Sequence, residues 1–140
     1  MRAEHELMRV IVPTLLAGCL ATAAAADPVP FTEAEWRDLV RGQTLIYRED
    51  GVFAGLERYA PAGNRVEWQF PNGECTLGTW EKVGEAFCFT WEHLDLQCYT
   101  HFKDGDRVLV VGTELSPSPG EITEVSEITD LPISCGMPMS

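Results

Sequence analysis

The stretch Arg65-Val66-Glu67-Trp68-Gln69-Phe70 alternates strictly between polar and apolar residues. Successive side chains of a strand point to opposite faces, so this run buries Val66, Trp68 and Phe70 together only as a β-strand; helical spacing would scatter them. The same period of two returns in Phe87, Phe89 and Trp91, set against Cys88 and Thr90. Working outward, further strands are predicted at 44–48, 52–59, 76–83, 97–102, 107–113 and 122–128. Turn chemistry separates them: Asp50-Gly51, Pro61-Ala62-Gly63-Asn64, Pro71-Asn72-Gly73, Gly84-Glu85 and Asp104-Gly105-Asp106. The run Ser116-Pro117-Ser118-Pro119-Gly120 is a loop, since paired prolines have no place in a central strand.

Upstream of these strands the period changes. Thr32 followed by Glu35 forms the sequence pattern of a capping box. Trp36, Leu39 and Val40 share one helical face, and Gly42 supplies the stop. The prediction is a mainly β domain: a short helix over 33–41, then an antiparallel meander of about eight strands closing into a small β-barrel. Closure removes the exposed edges of such a meander. A two-sheet β-sandwich is the alternative. The large residues at inward parity, Trp68, Phe70, Trp80, Phe87, Phe89 and Trp91, are the candidate barrel-lining residues, and their bulk argues for a filled interior over an open cup.

The first 26 residues read as a secretory signal: basic Arg9, an apolar run from Val10 to Leu20, then small residues ending at Ala26. A retained membrane anchor is the competing reading, and it needs about 20 apolar residues. Pro13 and the alanines weaken it. Leu16-Ala17-Gly18-Cys19 also resembles a bacterial lipobox, making Cys19 a candidate lipidation site that would tether the domain to the outer membrane. Cleavage after Ala26 leaves residues 27–140 as a single domain in the periplasm or outside the cell. That domain carries 20 acidic and 8 basic side chains, a net charge of −12. Such a surface repels phosphate backbones and anionic headgroups, which disfavours nucleic acid and confines any membrane association to a lipidated Cys19.

Export makes the four remaining cysteines a disulfide framework. Three pairings exist. Cys88 and Cys98 flank a hairpin loop ten residues apart, which favours Cys88–Cys98 and leaves Cys75–Cys135 to tie the tail to the sheet. Zinc is disfavoured because no Cys-x2-4-Cys pair is present. His93 is read as solvated and His101 as packed or half exposed. Glu121, Glu124, Glu127 and Asp130 recur at a spacing that suits a solvated face. No nucleophile elbow, phosphate loop or metalloprotease motif occurs, so neither an enzyme nor a cofactor is assigned.

Gly42-x-Thr44, Gly78-Thr79-Trp80, Gly84, Cys88-Phe89 and Cys98-Tyr99 follow one another between about residues 39 and 135. In order and spacing they resemble a group of small exported alphaproteobacterial proteins that form a domain of unknown function. That resemblance implies an envelope location and a β-rich fold, and no activity. More distantly, a Gly-x-Trp in a small exported barrel is similar to the lipocalins, where the tryptophan follows an N-terminal helical turn and plugs the base. Here Trp80 lies in mid-chain. Two functions are expected from compartment and fold: a non-catalytic envelope module binding a small molecule, or an interaction with an envelope protein, such as inhibition of a lysozyme-type hydrolase or support of assembly.

Overall fold

The computed structural model describes residues 13–14, 17–21 and 26–135. Most of the expected signal segment and the last five residues lie outside the described residues; Cys19 is exposed, with a free thiol. The described elements run β1 (Val29–Pro30), α1 (Glu33–Val40), β2 (Thr44–Glu49), β3 (Val52–Tyr59), β4 (Arg65–Gln69), β5 (Cys75–Val83), β6 (Ala86–Trp91), β7 (Gln97–Asp104), β8 (Arg107–Gly112) and β9 (Ile122–Thr129).

Strands β2 to β9 pair antiparallel with their sequence neighbours, and β9 pairs back onto β2. The eight strands therefore form a closed up-and-down barrel, and the two-sheet alternative is excluded by that continuous ladder. β1 is an extra, short strand. It pairs with Phe102 and Lys103 of β7, beyond the point where β6 stops pairing. Pro30 is tolerated there because it lies on an edge and needs no donor.

The capping box forms as the sequence predicts. The Glu35 amide donates to Thr32 Oγ1, and the Thr32 amide donates back to Glu35 Oε1. The helix so started lays Trp36 and Val40, both almost completely buried, across one end of the barrel. Trp36 meets Phe31, Tyr59, Phe87 and His101 through ring contacts of 4.1–6.1 Å between centroids. Arg37 fixes the outer side of the same helix, donating to the Gly63 carbonyl and to Asn64 Oδ1 and lying 4.6 Å over the Trp80 ring. This base of the barrel carries the turns at 60–64, 84–85 and 105–106. The opposite rim carries the connections 50–51, 70–74, 92–96 and 113–121, and among the described residues no helix covers it.

Two disulfides staple the barrel, and both follow the favoured pairing. Cys88 and Cys98 are direct partners in the β6–β7 ladder, with Cα atoms 4.1 Å apart. Cys75 and Cys135 have Cα atoms 5.8 Å apart and close a separation of 60 residues. The chain after β9 crosses the outer face of the sheet to reach that bond. Thr44 Oγ1 donates to the Leu131 carbonyl, Arg58 to that of Asp130, and Gln69 Nε2 to that of Ser134. The loss of Cys75–Cys135 in a Cys75→Ser/Cys135→Ser variant is expected to lower stability by about 2–4 kcal/mol. The long loop places it toward the upper end, and the short Cys88–Cys98 loop places the corresponding variant lower. Urea unfolding of both double variants checks the order; an unchanged midpoint for Cys75→Ser/Cys135→Ser would show that the strap holds nothing.

Candidate ligand-binding cavity

The interior divides into a packed lower half and an open upper half. Below, Trp36, Leu45, Tyr59, Val66, Trp80 and Phe87 form the core around the helix. Above them lies a cavity of about 300 Å³ that opens at the uncovered rim. Of the six aromatic residues predicted to line the barrel, Trp80 and Phe87 belong to the packed lower half. Trp68, Phe70, Phe89 and Trp91 line the cavity. The expectation of a filled interior is thus corrected. Inward parity is right for all six, but their bulk fills only the half that the helix also fills.

Local sequence makes room for these rings. Gly55 lies directly across from the Trp68 indole, and a Cβ at position 55 would overlap the indole Cζ2. On the next face, a Cβ at Gly78 would sit 2.7 Å from Trp91 Cε3. A bulge at Tyr47/Arg48 in the β2–β3 ladder turns Ala54 toward the cavity as a small wall residue. The result is a slot with stacked Phe89 and Trp91 (5.6 Å, 7° between planes) on one side. Tyr47 and Trp68 (5.4 Å) stand on another.

The floor of the slot is polar. Glu57 is buried, and its Oε1 accepts hydrogen bonds from both Tyr47 (2.8 Å) and Tyr59 (2.6 Å). Burial disfavours the carboxylate and pushes its pKa up to about 7, against the opposing pull of the two hydroxyls. Both tyrosines are driven well above their ordinary value, first by burial and then by the adjacent Glu57. His101 also lines the cavity and is 2% exposed, stacked on Phe87 at 4.4 Å. Its Nδ1 has no hydrogen-bond partner, and burial alone pulls its pKa down to about 3. The imidazole is therefore neutral at physiological pH. Tyr99, whose hydroxyl donates to Gln97 Oε1, is pushed up to about 12, mainly by burial.

Two more carboxyls stand at the mouth. Glu49 and Glu121 both line the cavity, and the hydrogen bond that a protonated Glu49 donates to the Glu121 carboxylate raises the Glu49 pKa from its ordinary value. Glu121, expected on a solvated face with Glu124, Glu127 and Asp130, is exposed and also lines the mouth of the cavity, while Glu124 pairs with Arg107 on the outside. Among the described residues, no Lys or Arg contributes to the cavity lining.

Comparison of the chain with protein-family models, with characterised proteins and with solved structures returned no match. The reading of the site therefore rests on its own residues.

One further cluster has the look of a metal site. The Glu67 carboxylate and the sulfurs of Cys75 and Cys135 lie within 4.8 Å of one another. Both sulfurs are committed to a disulfide, so neither is a thiolate ligand.

Sequence reasoning placed the aromatic wall but missed Glu57, Tyr47, Tyr59, Glu49 and Tyr99. Part of the signal was present. Gly55, Glu57 and Tyr59 share one parity in β3, so once Tyr59 is core, Glu57 is a carboxylate pointing inward.

Proposed function

We propose that this protein is a non-catalytic binding module that holds one small molecule inside its barrel, in a periplasmic or extracellular setting. The observation that carries this reading is the cavity of about 300 Å³, open at one rim and floored by converging polar groups. Ligand sites are typically concave, mostly apolar and provided with a few fixed polar groups, and this volume falls at the small end of their range. The two disulfides are compatible with the compartment. The lipocalin-like resemblance fits the arrangement in one respect: a tryptophan of an N-terminal helix plugs the base, and it is Trp36 rather than Trp80.

A binding role is favoured over catalysis by the state of the polar groups. His101, the one histidine in the lining, is neutral, and no acid partner is bonded to orient it. Glu57 is tied by two hydroxyl donors. Neither is hydrogen-bonded to a Ser, Thr or Cys side chain of the kind that acyl transfer uses as its nucleophile.

A neutral fluorescent probe, N-phenyl-1-naphthylamine, is expected to bind with a stoichiometry of one and to quench the indoles of the wall. Filling the slot with Ala54→Phe should abolish that binding while leaving the far-ultraviolet spectrum and unfolding midpoint near those of the unmodified chain. Binding that survives Ala54→Phe would place the probe elsewhere and remove the support for this reading.

A further inference from the structure

The chemistry of the cavity narrows its ligand, on the premise that the slot is a binding site at all. Its walls present aromatic faces, whose negative quadrupole attracts cations. Its lining carries three carboxyls: Glu57 at the floor, Glu49 and Glu121 at the mouth. Nothing basic offsets them, because His101 is the one base in the lining and burial keeps it uncharged. An anionic ligand would meet three carboxyls and no cation there.

The floor points the same way through an independent observation. Tyr47 and Tyr59 both donate to Oε1 of Glu57, and Oε2 takes neither of those bonds. Close by in the lining, His101 is 2% exposed and its Nδ1 lacks any partner in the protein. Buried polar atoms in folded proteins are nearly always paired, and His101 carries an unpaired one on a residue that lines the cavity. A ligand N–H is the complement of both a carboxylate oxygen and a neutral imidazole nitrogen. The domain as a whole is acidic, and carboxyls at the mouth focus that field on the entrance.

We propose that the ligand is a small organic cation, an amine or ammonium head on an apolar or aromatic body. The head sits at the floor against Glu57 and His101, and the body lies between the Trp68 and Phe89–Trp91 walls. Glu49 and Glu121 act as an entry funnel.

Calorimetric titration of the full chain with 4-phenylbutylammonium, 4-phenylbutanol and 4-phenylbutanoate at pH 8 tests the assignment. The ammonium compound is expected to bind at least ten-fold tighter than the alcohol, and the carboxylate more weakly than the alcohol. Glu57→Gln, which keeps an acceptor for both tyrosines, should weaken ammonium binding about ten-fold and alcohol binding by much less. Glu49→Gln/Glu121→Gln should slow association of the ammonium a few-fold and flatten its salt dependence. If the alcohol or the carboxylate binds as tightly as the ammonium, the cation assignment falls while the cavity reading stands. If the ammonium fails to bind although N-phenyl-1-naphthylamine does, the outcome is the same. If neither the three compounds nor the naphthylamine bind, both fall.

Discussion

Trp36→Ala is expected to destabilise the protein by about 3–5 kcal/mol, a large part of the 5–15 kcal/mol that holds a typical domain folded. Trp36 is fully buried, and it joins the helix to the barrel base through Phe31, Tyr59, Phe87 and His101. Truncation removes the transfer energy of the indole and leaves a void that the closed ladder above cannot collapse to fill. Helix α1 has only eight residues, too few to persist without its apolar anchor, so the whole plug is lost with the side chain. Trp36→Phe retains a ring against His101 and is expected to recover roughly half of the loss. Equilibrium urea unfolding of the three proteins checks this. A Trp36→Ala midpoint within error of the unmodified protein would mean that the helix is not the structural floor of the barrel.

The second large effect is a response to acid. His101 ionises near 6.5 in the unfolded chain and near 3 in the folded one, because the buried ring loses solvation on charging. Its folded pKa is depressed, so the neutral core is fully stable above pH 6.5 and loses about 1.4 kcal/mol per pH unit as the pH falls. By pH 3 the loss is about 5 kcal/mol.

Glu57 works in the opposite sense. Its pKa rises from 4.5 to about 7 on folding, so its contribution is fullest below pH 4.5 and disappears as the pH rises through 7. Between pH 4.5 and 6.5 the two slopes cancel. The expected profile for the protein is a plateau there and a steep fall below 4.5, where of these two groups only His101 still titrates.

His101→Phe preserves the stack between Phe87 and Trp36 and removes the acid limb. The variant is expected to gain about 3 kcal/mol from pH 7 down to 4.5 and to hold much of it at pH 3. Glu35 and Glu124 are held low by hydrogen bonds from Lys103 and Arg107 respectively, but both are exposed and are common to the two proteins, so they leave the comparison intact. Urea midpoints at pH 3, 4.5, 6 and 7.5 provide the test. An equal acid limb in His101→Phe would assign the loss to other groups.

The barrel was legible because its signal is local. In β4, Val66 and Trp68 fall inward as the alternation requires, and Pro71-Asn72-Gly73 turns the chain where a turn is written. The helix was legible through Thr32 and Glu35, whose reciprocal bonds span three residues. Strand β1 was not legible, since two residues containing Pro30 carry no period, and only the free edge of β7 gives them a partner. The polar floor was half legible: parity put Glu57 inside, but the hydroxyl that meets it from Tyr47 lies ten residues away on another strand.

The sequence by itself determined strand order, inward faces and the helix cap, and it favoured one disulfide pairing of the three that four cysteines allow. These depend on neighbours along the chain or directly across a turn. Tertiary structure alone decided the height of each inward side chain in the barrel. Strand stagger and the docking of Trp36 put Trp80 and Phe87 into a solid base, and Trp68 and Trp91 around an empty slot. Alternation specifies the side of a sheet on which a residue lies and not its level along the barrel axis, and the level separates a core residue from a wall of the cavity.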